Sequence, residues 1–260
     1  MSFFRKYYPV LKWAILVLAY GFLFYKLATL NNYYDFIHQM QSTDYMQLLW
    51  LLLTLALLPL NWLLESVKWC KLISDLEQIS LARSLQTILS GITTGFFTPN
   101  RIGEYPGRAV FLHSGSRVPA IALGFVGSLA QTLAILVCGV PATILFFFNN
   151  SYSSRLSSNA LLVFFAVLGL LLIILYCCLP VISSRCLRCP IKSEKVHNTL
   201  EAFKAMSAKK LLTVFLLSLI RYTVFCMQFF FVLRFFGVQL SVTEAFIGIA
   251  TNYLFVTFTP

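Results

Sequence analysis

The sequence is poor in charge, and in negative charge above all. Charged residues fill 11% of its 260 positions, under half of the ~25% with which a water-soluble domain covers itself. Hydrophobic residues make up 59%, and the Leu- and Phe-rich runs recur along the whole length. A soluble globular domain is therefore excluded, and so is a single anchor on one. Histidine is scarce too: His38, His113 and His197 are scattered. No His-Glu-x-x-His, phosphate-binding glycine loop, dinucleotide fingerprint or Gly-x-Ser-x-Gly occurs, so the main enzyme signatures are missing. The chain is expected not to be an enzyme and to need no cofactor and no metal.

Seven cysteines, an odd number lying mostly in or beside apolar runs, do not make a disulfide framework. Cys186-Leu-Arg-Cys189 has metal or redox spacing, but no second pair accompanies it. It is assigned no role.

What is present is positive charge, 20 Lys and Arg against 9 Asp and Glu, a formal net of +11. No basic stretch is interleaved with stacking aromatics, which argues against nucleic acid. The basic residues fall beside the apolar segments, where anionic lipid is the natural neighbour.

A helix crossing the hydrocarbon core needs roughly 17 to 25 mainly apolar residues. Five segments qualify: 10–28, 45–64, 119–148, 160–182 and 211–236. Pro141 is expected to bend or end the third. Arg5, Lys6 and Lys12 precede the first, and no small-residue cleavage site follows it, so it reads as an uncleaved span with a cytoplasmic N-terminus. Two further stretches, 85–99 and 245–260, are short and carry Thr, Gly or Asn.

Loop charges decide how 85–99 is treated. If it does not cross, segments 1–12, 65–118 and 183–210 share one side. They hold three basic residues, six basic against four acidic, and seven basic against two acidic. That side then carries the positive excess throughout, as cytoplasmic loops do. If it does cross, the most basic loop lies outside. The expectation is a re-entrant helix that dips in and returns, its irregular backbone shielded by protein or water.

The chain also resembles itself. Leu60-Asn61-Trp62 through Lys68-Trp69 lies over Ile220-Arg221-Tyr222 through Gln228-Phe229 with polar and aromatic positions in step, and Thr98-Pro99 is echoed by Thr259-Pro260. Three spans separate equivalent points, so the second copy is upside down in the bilayer. Inverted repeats with broken or re-entrant helices are transporter architecture. The expected fold is an all-α, polytopic transmembrane bundle of about five spans and two re-entrant helices. It forms one domain over 1–260, with repeat one at about 8–150 and repeat two at about 160–260. Two full copies would run to ~320 residues, so the second copy is expected to be incomplete.

Three places hold polar residues where chemistry is possible. Pro99-Asn100-Arg101-Ile102-Gly103-Glu104-Tyr105-Pro106-Gly107-Arg108 forces a turn. Arg101 and Arg108 offer forked donors for phosphate, and Glu104 could hold one of them. The bland alternative is an interfacial turn with one ion pair. Asn61, Glu65 and Lys68 share a helix face; they either meet substrate or simply pair and snorkel to the interface. Arg221 lies deep in the last long span and needs a partner. Gln228 shares its face, with Glu65 or Glu104 as candidate partners, and the alternative is a structural pair.

Asn61-Trp62 through Lys68-Trp69, and Gly95-Phe96-Phe97-Thr98-Pro99-Asn100-Arg101-Ile102-Gly103-Glu104 followed by Arg108, resemble the lysylphosphatidylglycerol synthase transmembrane-domain, flippase-like family. The resemblance implies a lipid-translocating region, with Arg101, Glu104 and Arg108 in the polar core of the first re-entrant motif, and a C-terminally truncated member. Pro106 and Gly107 place the last arginine one residue later than that pattern often has it. No aminoacyl-transferase domain follows, so synthase activity is not carried over.

The expected function is translocation of an anionic lipid or lipid-linked intermediate between leaflets of the cell (inner) membrane. Its substrate-binding residues would be Arg101, Glu104, Arg108, Asn61, Glu65, Lys68 and Arg221. The alternative is a membrane-embedded enzyme or accessory subunit of envelope glycolipid or phospholipid synthesis. The expected partner is a membrane lipid, anionic or polyprenyl-linked, with no nucleic acid. A homo-oligomer or a membrane enzyme would be a further partner; a structural protein that organises a membrane enzyme would hold it through the small-residue face Ala120, Gly124 and Ser128.

Overall fold

The computed structural model describes residues 21, 25, 45–149, 155–190 and 193–258. Apart from residues 21 and 25, the first expected span, 10–28, lies outside them, and so does the Thr259-Pro260 echo. Residues grouped as Leu49–Pro260 form one compact unit, apart from Met1–Leu48.

The regular structure of the described residues is entirely helical, as the need to satisfy backbone polar groups away from water favours. The helices are α1 (Tyr45–Ile73), α2 (Leu81–Phe96), α3 (Glu104–Ala109), α4 (Arg117–Asn149), α5 (Arg155–Cys186), α6 (Glu194–Lys204), α7 (Ala208–Phe235) and α8 (Val242–Phe258). Among the described residues four stretches, Tyr45–Ile73, Ser114–Phe148, Leu162–Cys186 and Ala208–Phe235, are long and apolar enough to cross a membrane. This is a multi-pass membrane protein.

Two helices continue past a point where the sequence suggested a stop. α1 continues nine residues past 64 to Ile73, so Glu65 and Lys68 sit within it instead of at its frayed end. α4 runs through Pro141 to Asn149 without stopping. A proline removes one backbone bond, and a helix in apolar surroundings has no water to receive the others if it breaks.

α4 is the central post, packing against α3, α5, α6, α7 and α8. Two apolar clusters form around it. One gathers Trp69, Leu72, Ile73, Ile88, Leu123 and Val126; the other gathers Ala134, Phe165, Tyr222, Ile249 and Leu254. The small-residue face of α4 is consumed internally. Ala120 is fully buried, a Cβ on Gly124 would lie 3.0 Å from the Tyr105 ring, and Ser128 accepts a 2.9 Å hydrogen bond from the Tyr105 hydroxyl.

α2 and α3 form a hairpin that leaves and returns at one place. Arg83, at the start of α2, donates to the Phe111 carbonyl at 2.7 Å, and the His113 amide donates to Glu77 at 3.0 Å. Lys210, at the start of α7, pairs with Asp75 at 2.8 Å, so the end of α1, the base of the hairpin and the start of α7 lie at one end of the bundle. The hairpin closes because glycines let its arms touch. A Cβ on Gly91 would fall 2.6 Å from Arg108 Cγ and 2.9 Å from the Glu104 carbonyl, while one on Gly107 would collide with the Thr94 hydroxyl.

Overpacking so tight a contact costs about 1–3 kcal/mol. Gly107→Ala is expected to lower the melting temperature of the detergent-solubilised protein. Gly115→Ala, whose added Cβ meets nothing within 4 Å, is expected to leave it unchanged. Equal melting temperatures would mean that the two arms do not depend on each other.

Candidate functional site

The α1 face bearing Asn61, Glu65 and Lys68 turns toward α3 and α7, and Glu65 becomes the hub. Its Oε2 accepts from Lys68 Nζ at 2.7 Å and from Arg221 Nη1 at 2.7 Å, and its Oε1 accepts from Arg108 Nη1 at 2.8 Å. The Glu65 side chain is 5% exposed. Lys68 is equally buried, so the pair does not snorkel to an interface. It pairs inside.

The hairpin supplies the second carboxylate. Glu104, one turn before Arg108 on α3, pairs with Arg108 Nη2 and lies 3.8 Å from Arg101 Nε. Arg108 therefore bridges two carboxylates from different elements, and its guanidinium also stands 5.5 Å from the Trp69 ring centroid. Such a stack adds roughly 2 kcal/mol when desolvated.

The turn between the arms is built from its own hydroxyls. Thr94 donates to the Gly103 carbonyl at 2.8 Å, and Thr98 accepts from the Gly103 amide at 2.8 Å. Pro99 opens a short 3-10 turn, as its fixed φ favours. Arg101 follows at φ 56°, the left-handed region that a bulky residue rarely enters. The strain presents its side chain outward, 66% exposed, and strain held in this way is common at ligand-binding turns.

Arg221 reaches in from α7. Its Nε donates to Asn61 Oδ1 at 2.8 Å, and Nη1 lies 3.4 Å from Gln131 Oε1. Of the two carboxylates expected as partners, Glu65 takes it. Gln228 continues the line, accepting from Asn61 Nδ2 at 3.4 Å and donating to the Thr54 carbonyl at 3.2 Å.

All seven residues singled out from sequence thus fall in one connected cluster. Gln131 and Trp69 are members that sequence reading did not place there. The signal for Gln131 was a glutamine in the interior of a long apolar helix, where a polar group needs a partner.

Among the described residues, four cations, Lys68, Arg101, Arg108 and Arg221, face two carboxylates, Glu65 and Glu104. Arg108 Nε and Trp69 Nε1 are buried donors without an acceptor among the described residues. Donors and positive charge exceed what the cluster itself can satisfy, which is the electrostatic condition for holding an anion. The cations also divide by access. Arg108 and Lys68 are buried and spent on carboxylates, while Arg221 keeps 32% exposure and Arg101 twice that.

Removing the hub leaves buried cations unpaired, which costs about 3–5 kcal/mol. Glu65→Gln is therefore expected to lower the melting temperature by several degrees, whereas Arg101→Ala, on an exposed side chain, is expected to change stability by about 0.5 kcal/mol or less. Thermal denaturation of the two variants in detergent distinguishes the two cases. Equal effects would mean that Glu65 does not hold the cluster together.

Neither a curated protein nor a solved structure matches the chain. The family model described as the lysylphosphatidylglycerol synthase TM region matches residues 10–260. A match over nearly the whole chain, together with the membrane-length helices and the polar cluster described above, places this protein in the lysylphosphatidylglycerol synthase transmembrane-region family.

Proposed function

We propose that the protein translocates an anionic lipid or lipid-linked intermediate between the leaflets of the cell membrane, without covalent chemistry. The observation that carries this reading is the excess of cations over carboxylates in a cluster that is largely buried between membrane-length helices. A phosphate brings the missing negative charge and acceptor oxygens. Arg101 and Arg221 have the access to receive it, while Arg108, Glu104, Lys68 and Glu65 hold the hairpin and α7 in position around it.

In this reading the α2–α3 hairpin is a re-entrant element dipping in from the cytoplasmic face. The N-terminus lies on that face, as the loop charges require. The hairpin's common entry and exit point, marked by Arg83 with Phe111 and Glu77 with His113, supports it. So does the reach of α2, 16 residues or about 24 Å at helical rise, short of a full crossing.

The inverted repeat draws support from one contact. Asn61 and Arg221 are equivalent positions of the two copies, and they bond to each other. In an arrangement with twofold symmetry, a residue touching its own equivalent marks the axis. α8, 17 residues long and packed on α4, would begin the second re-entrant element.

Losing a charge-assisted hydrogen bond costs about 1.5–3 kcal/mol, which corresponds to a roughly tenfold to hundredfold change in rate. Proteoliposomes carrying the wild-type chain are expected to move a fluorescent phosphatidylglycerol between leaflets, and Arg101→Ala and Glu104→Ala are each expected to slow it by at least about tenfold. Unchanged rates in both variants would remove these residues from the site.

A further inference from the structure

We infer that the seam between α1 and α7 is the route along which the polar headgroup crosses the apolar layer, with Asn61 and Gln228 as its uncharged middle and Trp50 closing its far end. This rests on the translocation reading above and adds to it a path and new residues.

The two helices run antiparallel, and long side chains bridge them in register. Glu65 and Asn61 meet Arg221, and Thr54 meets Gln228. Four residues beyond Thr54 toward the start of α1, the Trp50 ring stacks on Phe231 with centroids 5.4 Å apart and stands edge-on to Phe230 at 6.4 Å. The polar rungs on α1 extend from Lys68 to Thr54, about 21 Å at helical rise, through much of a hydrocarbon core ~30 Å thick. On the other side of α1, Leu49, Leu52 and Leu63 are exposed, as lipid-facing residues would be. Between Thr54 and Lys68, the charged and amide side chains of α1 all lie on the seam side.

The rungs also change character along the way. Near the hairpin they are ionic, and an anion would bind there firmly. Beyond Arg221 they become amides, and an amide both donates and accepts without carrying charge. A headgroup passing Asn61 and Gln228 can exchange hydrogen bonds with them and is not trapped, whereas bare leucines would leave its polar groups unsatisfied at several kcal/mol each. The aromatic stack at Trp50 then separates the polar seam from the far interface, so release requires it to part.

The competing account is that Asn61 and Gln228 only bind the helices together, as interhelical hydrogen bonds do for about 0.6 kcal/mol apiece. Water access separates the two. The test places Gln228→Cys and, on the lipid side, Leu52→Cys in the full chain in phosphatidylcholine vesicles. Each is treated with a membrane-impermeant methanethiosulfonate, and the modified residue is located by peptide fragmentation. Gln228→Cys is expected to react at least about tenfold faster than Leu52→Cys, and phosphatidylglycerol in the vesicles is expected to slow it. Reaction as slow as that of Leu52→Cys would overturn the route and leave the amides as helix-binding groups only.

A transport assay run alongside separates the route from the function it rests on. Gln228→Leu is expected to slow phosphatidylglycerol movement by at least about tenfold, and movement at the wild-type rate would overturn the route while leaving translocation in place. If Gln228→Cys is labelled and protected by phosphatidylglycerol although the wild-type chain moves none, the seam stands as a headgroup path and the translocation reading falls.

Discussion

A carboxylate inside a membrane-length helix is the constraint on which the rest of the bundle depends. Ionised Glu65 cannot sit out of water alone, because the desolvation cost is several kcal/mol even after relaxation. It needs cations, and three of them come from three places: Lys68 from its own helix, Arg108 from the hairpin and Arg221 from α7. Satisfying one buried charge therefore ties together elements up to 156 residues apart. The elements so joined surround the site.

The hairpin is built to serve that hub. Its arms touch through Gly91 and Gly107, which brings Arg108 inward between Glu65 and Glu104. The same turn strains Arg101 into the left-handed region and points its side chain outward. Two arginines seven residues apart thus acquire opposite assignments: Arg108 is a buried brace, while Arg101 is a free hand. Residue type alone does not distinguish them, since both are guanidinium groups in one polar passage.

Much of the architecture was legible because membrane constraints are one-dimensional. A span must be apolar over a set length, and α4, α5 and α7 lie within a few residues of the limits that hydropathy set. The shared face of Asn61, Glu65 and Lys68 was equally legible, because helical periodicity fixes it. Hydropathy misjudged the end of α1. It registers a charged residue as a boundary, whereas the helix continues wherever the charge finds partners, and those partners lie on other helices.

The sequence by itself determined that this chain is a multi-pass helical membrane protein, and it marked Arg221, Glu65 and the Arg101 to Arg108 passage as polar groups in need of an explanation. Only the tertiary structure decided that Arg221 pairs with Glu65 and not with Glu104, that Gln131 belongs with them, and that the small-residue face of α4 is covered by Tyr105. Apolar length and helical spacing are local properties, written into neighbouring residues. Which charge meets which depends on how helices distant in the chain pack, and that is settled only when every buried charge has found its partner at once.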